Sequence, residues 1–182
     1  MKTMMMCVVL LGATAVRGEP ASPYAGEEVQ AIKTLSAAEI DGYLDGAGMG
    51  FAKAAELNHY PGPKHVLEMS DELELSEAQR SRTIAIMEAM KTEAVKLGAQ
   101  LVAKERELDA GFAERTITGG GLERLVREIA SIQGKLRAAH LRAHIEQRAI
   151  LSDEQVSRYD RLRGYGRPGA HDGHPQHGHD HH

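Results

Sequence analysis

The pattern Leu-Ser-x-x-Gln occurs twice, as Leu75, Ser76 and Gln79 and again as Leu151, Ser152 and Gln155, and each copy reads as the start of a helix. A serine hydroxyl at this position accepts a hydrogen bond from an unpaired N–H of the first turn. A glutamine three residues on reaches back to the serine N–H, and the two together make a capping box. The leucine before each serine stands where a hydrophobic staple begins. A looser third copy, Leu35, Ser36 and Glu39, closes with glutamate. Three such starts in a chain that is 4% aromatic and has no tryptophan point to an all-α protein rather than to a thick globular core.

After Ser76 the apolar residues Ile84, Met87, Ala94, Leu97, Leu101, Leu108 and Phe112 recur at steps of three and four. That spacing predicts one helix to about residue 115, roughly 60 Å long at ~1.5 Å per residue. Thr116 to Gly121, with three consecutive glycines, reads as a turn. A second stripe (Leu122, Leu125, Val126, Ile129, Ile132, Leu136, Ala139 and Ala143) predicts a second helix to about Ile150. Helices joined by so short a turn pack antiparallel. The second capping box then opens a final helix carrying Val156, Tyr159 and Leu162 and ending near Gly164.

Upstream, Ser36 caps a short helix to about Leu44, and Gly46, Gly48 and Gly50 end it. These glycines permit close backbone approach; no Gly-Lys-Ser/Thr follows, so they make no phosphate loop. Phe51 to Asn58 is a second short helical run, and Pro63 opens a helix from Lys64 to about Leu73. The fold expected is a long antiparallel helical hairpin with short flanking helices. A lone hairpin leaves half of each stripe wet, which favours a homodimer.

Residues 1–18 read as a secretory signal peptide: Lys2, a short apolar run from Met4 to Ala15, and cleavage after Gly18. The single cysteine, Cys7, lies within it, so disulfides and thiolate metal sites are excluded from the remainder. Net charge is −4, and loss of Lys2 and Arg17 with the leader makes it −6, which disfavours nucleic acid as a partner. Residues 19–62 form an N-terminal extension, 63–164 the helical domain, and 165–182 a tail of Gly, His, Pro and Asp expected to be disordered.

The chemistry on offer is ligation. Six of ten histidines stand in the tail: His171, His174, His177, His179, His181 and His182. Imidazole suits Ni, Co, Zn and Cu as divalent ions. His140 and His144, at i and i+4, share a helix face and can reach one ion. Counting back across the turn sets them beside residues 92–96. Glu93 and, one turn earlier, Glu88 are therefore candidate carboxylate ligands, and His65 completes the set. Met49, Met69, Met87 and Met90 offer soft sulfur for Cu(I), although methionine at helical spacing is more often core filler. No His-Glu-x-x-His sequence, nucleophilic cysteine or catalytic triad stands out, so the chain is not expected to be an enzyme.

With a signal peptide, a long helical hairpin and two Leu-Ser-x-x-Gln boxes, residues 63–164 resemble the Spy/CpxP family of periplasmic proteins, whose motif is Leu-Thr-x-x-Gln. The stretch from Gly48 to Asn58, followed by Tyr60 to Pro63 and His65 to Glu68, is also similar to a subgroup of that family. The resemblance implies a hooked four-helix protomer and a cradle-shaped antiparallel dimer. It implies a periplasmic protein acting as an ATP-independent chaperone on unfolded clients, as an inhibitor of a membrane sensor kinase in the envelope stress response, or as a heavy-metal sensor. In the metal-sensing branch, ligands come from an early helix, the first long helix and a His-x-x-x-His/Met pair on the second. His65, Glu88 and His140 with His144 fall at similar spacings, but no second histidine follows His65 by four residues.

Overall fold

The computed structural model describes residues 22–165. Among them helices dominate and no strand forms. Residues 1–18 and the tail histidines His171 to His182 lie outside the described residues. After a 3-10 turn at Glu27–Val29 come α1 (Ala37–Leu44), α2 (Lys53–Glu56), α3 (Pro63–Glu68), α4 (Glu77–Ala113), α5 (Gly119–Ile150) and α6 (Asp153–Arg163). No described helix is long and apolar enough to cross a membrane.

All three expected capping boxes are formed, at Ser36 with Glu39, Ser76 with Gln79 and Ser152 with Gln155. The two glutamines also bond each other. Gln79 Nε2 donates to Gln155 Oε1 at 2.7 Å, and Gln155 Nε2 donates to Gln79 Oε1 at 3.1 Å. Each amide nitrogen has a second acceptor at a chain turn, the Ile150 carbonyl for Gln79 and the Leu73 carbonyl for Gln155. Each amide oxygen also takes the N–H of its own capping serine at 3.0 Å. The two motifs thus act as one clasp that joins the starts of α4 and α6 to the end of α5. From Gln79 the polar contacts continue inward: Thr83 donates to the Gln79 carbonyl, and buried Gln147 donates to Thr83. Ser76→Ala and Ser152→Ala are each expected to cost ~1 kcal/mol, read as a lower urea midpoint at unchanged slope; unchanged midpoints in both would contradict the capping role.

α4 and α5 lie side by side and antiparallel: Glu107 pairs with Arg124, Lys104 with Glu128 and Glu93 with Arg142. Between them Ala94, Leu97 and Leu101 meet Ile129, Ile132 and Leu136 in the central core. A second core (Val66, Leu73, Leu151, Val156 and Tyr159) gathers α3 and α6 around the clasp, and a third sets Ile32 and Leu35 on Val102. The stripe is narrower than its spacing predicts. Ile84, Phe112 and Val126 are exposed at 42%, 55% and 48%.

Three boundaries differ from expectation, the first in the run from Phe51 to Asn58, which is helical only at Lys53–Glu56. The glycine triplet is the first turn of α5, because Thr118 caps it by accepting from the Gly121 N–H at 3.2 Å. The turn itself is residues 114–118, with Arg115 left-handed at φ 56°. α3 stops at Glu68 rather than near Leu73. The chain must turn there to bury Leu73 in the second core and to offer its carbonyl to Gln155.

α1 seats on α4 at a glycine. A Cβ on Gly98 would stand 1.9 Å from the Tyr43 carbonyl oxygen, so only glycine lets the end of α1 approach this closely. Gly46 follows with φ +65° and the Lys91 carbonyl 3.3 Å from where its Cβ would be. These contacts hold the loop after α1 against α4, where it walls a cleft.

Candidate metal-binding cleft

Sequence alone places two histidines on α5; the fold supplies their surroundings. A cleft of about 450 Å³ opens between the loop after α1, the start of α3 and the facing sides of α4 and α5. His65, His140 and His144 all line it. The donors facing them from α4 are Met87 and Met90.

Each imidazole is held differently. His144 is mostly buried, and its Nδ1–H donates to the Tyr60 carbonyl at 2.7 Å, which leaves the lone pair on Nε2. That edge of the ring lies against Gly62, where a Cβ would come within 2.9 Å of Cε1 and 3.0 Å of Nε2. Glycine at 62 therefore makes room for the ring. His65 donates from Nδ1 to Glu68 Oε2 at 2.8 Å, again leaving Nε2 free to bind. His140 is 3% exposed and stacks on Phe51, with ring centroids 5.7 Å apart and planes 17° apart. Its Nε2 is buried and has no hydrogen-bond partner.

An orphaned buried nitrogen is costly in a protein that has no use for it. Imidazoles fixed through one nitrogen by a carbonyl or carboxylate are also the usual second shell of a metal ligand. Imidazole nitrogen is a common ligand for transition-metal ions. Among the described residues no three His, Cys, Asp or Glu side chains converge tightly enough to enclose one ion.

The expected carboxylates are not in the cleft lining. Glu93 does lie beside residue 142, as the register predicts, but it pairs with Arg142 at 3.1 Å. At about 100° per residue, positions 140 and 144 lie roughly 200° round the helix from 142, so Glu93 and the histidines occupy different faces. Glu88 is exposed and outside the cleft lining. Asp45 is the one carboxylate of the lining, and Lys64 and Lys91 stand with it.

Burial, and then the nearby His144, lowers the pKa of His140 from its ordinary 6.5. Its imidazole is neutral and available as a ligand at pH 7. The unfolded chain protonates this histidine more readily than the folded one. The stability gained from the neutral ring is therefore complete above pH 6.5 and declines as pH falls through the lower folded value. We expect the metal-free protein to melt progressively earlier below pH 6.5, and His140→Leu to remove part of that dependence; parallel pH profiles for the two proteins would contradict it.

Behind His144 lies a residue the sequence does not advertise. Glu56 of α2 is 12% exposed at its side chain and accepts from the hydroxyls of Tyr159 at 2.6 Å and Tyr165 at 3.0 Å. Arg163 Nε stands 3.4 Å from the same oxygen. The other oxygen, Oε2, is buried without a hydrogen bond and lies 3.8 Å from His144 Nδ1. Burial first, then donation to Glu56, raises the Tyr159 pKa far above its ordinary value, so both hydroxyls remain donors at neutral pH. Glu56 thereby ties the end of α6 to the back of the His144 ring.

The chain matches no protein-family model, curated protein or solved structure with which it was compared.

Proposed function

We propose that this chain is an exported, metal-responsive protein of the Spy/CpxP kind that binds a transition-metal ion in the His65, His140 and His144 cleft. It works in the periplasm as a sensor or buffer of that ion, with the tail histidines as a second, weaker binder. The observation that carries the reading is the unpartnered Nε2 of His140, buried on a cleft where His144 and His65 also keep a free Nε2. Metal binding requires neutral imidazole, and the lowered pKa of His140 supplies it. The protomer is taken to be the hooked four-helix form, paired as a cradle-shaped antiparallel dimer. No catalytic role is assigned.

Calorimetry with Ni, Co, Zn and Cu, on the full chain with its six tail histidines changed to serine, tests the site. One ion per chain is expected, with affinity falling roughly 100-fold or more when His140→Ala and His144→Ala are combined. Undiminished binding in that variant would remove the cleft from the function.

A holdase chaperone is the second reading, favoured by large apolar side chains left exposed on the long helices: Ile84, Phe112, Val126 and Ile145. Unfolded clients or a second protomer would cover such side chains. Equal suppression of client aggregation with and without metal would favour this reading, and failure to slow aggregation at all would end it.

A further inference from the structure

The four methionines downstream of the leader do not share one role. Met69 packs against the second hydrophobic core. Met49 covers Gly42, with its Sδ 3.0 Å from the position of an added Cβ. Met87 and Met90 belong to none of the buried clusters; both are half-buried and line the histidine cleft. At i and i+3 they lie on neighbouring positions of one helix face. Packing thus accounts for the first two and leaves the second two on the cleft that His140 and His144 also line.

Resting on the metal-binding reading above, we propose that the cleft selects Cu(I), held by the Met87 and Met90 thioethers together with His140 and His144. Thioether sulfur is a soft donor that favours Cu(I), whereas Ni(II), Co(II) and Zn(II) gain little from it. The one carboxylate of the cleft lining is Asp45, and the donors that α4 presents there are the two uncharged thioethers. A thioether, unlike a thiol, is not consumed by disulfide formation, so the site would keep its sulfur in an oxidising compartment.

The test uses the full chain with the six tail histidines changed to serine, kept without oxygen. Cu(I) is titrated in competition with a chromogenic Cu(I) chelator, Zn(II) and Ni(II) are measured by calorimetry, and X-ray absorption reports sulfur around bound copper. Met87→Leu with Met90→Leu conserves volume and preserves folding, which circular dichroism verifies. The expected result is Cu–S scattering in the parent, lost in the leucine variant together with roughly 100-fold or more of Cu(I) affinity. Zn(II) and Ni(II) binding, which His140→Ala with His144→Ala weakens, is expected to be unchanged by the leucines. Cu(I) affinity unaffected by the leucines, with Zn(II) or Ni(II) still dependent on the histidines, would overturn copper selection and leave the metal site standing. No histidine-dependent binding of any ion would overturn both.

Discussion

Changing Gln79 and Gln155 together to glutamate is expected to cost roughly 3–5 kcal/mol, about 1 kcal/mol more than the two single changes added. The clasp explains why. Each glutamine amide donates to its counterpart's oxygen and to a backbone carbonyl, and accepts from its own capping serine. One glutamate still accepts from the remaining amide and from its serine N–H, so a single variant loses one donor group and leaves a carbonyl unanswered, about 1–2 kcal/mol. Two glutamates have no donor between them and set two part-buried negative charges at hydrogen-bond distance. Such a pair favours sharing one proton. The double variant's deficit should therefore shrink as pH is lowered toward 5, opposite in sign to the effect expected from His140. Urea melts of the four proteins at pH 7.5 and 5.5 measure the coupling directly. Additive losses with no recovery at the lower pH would show that the two motifs cap their helices independently.

Capping boxes and long helices were legible because both are local: an N-cap and its glutamine are three residues apart, and the apolar steps repeat within each helix. Register was legible as well. Counting across the turn sets residues 140–144 beside 92–96, and Arg142 does meet Glu93. Which face each side chain occupies was not, because register fixes the level along a helix pair and leaves its rotation open. That is why Glu88 and Glu93 were plausible ligands by counting while Met87 and Met90 line the cleft. The meeting of Gln79 with Gln155, 76 positions apart, needs the whole hairpin to fold back before it exists. Glu56 carries even less local signal: it is one acidic residue in a short Lys-Ala-Ala-Glu helix, and its partners lie more than 100 residues away. The glycine triplet misleads for the converse reason. Glycine is compatible with turns, and the neighbouring Thr118 decides that these three start a helix.

Gly98→Ala and Gly134→Ala should change stability in opposite directions, although both place alanine inside a long helix. Alanine gains about 1 kcal/mol over glycine in a helix interior when nothing opposes it. At Gly134 a Cβ meets no atom within 4 Å, so stabilisation by about that amount is expected. At Gly98 the Cβ would lie 1.9 Å from the Tyr43 oxygen, 2.6 Å from its carbonyl carbon and 3.2 Å from its Cα. All three are backbone atoms, and no rotamer change relieves the overlap. The end of α1 must lift from α4, which we expect to cost about 2–3 kcal/mol net of the propensity gain. The loss should reach the cleft, because Asp45, Gly46 and Ala47 continue from that end of α1 and form one wall of it. Gly98→Ala should therefore weaken metal binding without touching a ligand, while Gly134→Ala leaves it unchanged. Matched thermal melts and metal titrations of the two variants separate these effects: a stabilised Gly98→Ala would mean that α1 does not seat on α4, and a destabilised variant with full metal affinity would mean that the α1 wall takes no part in binding.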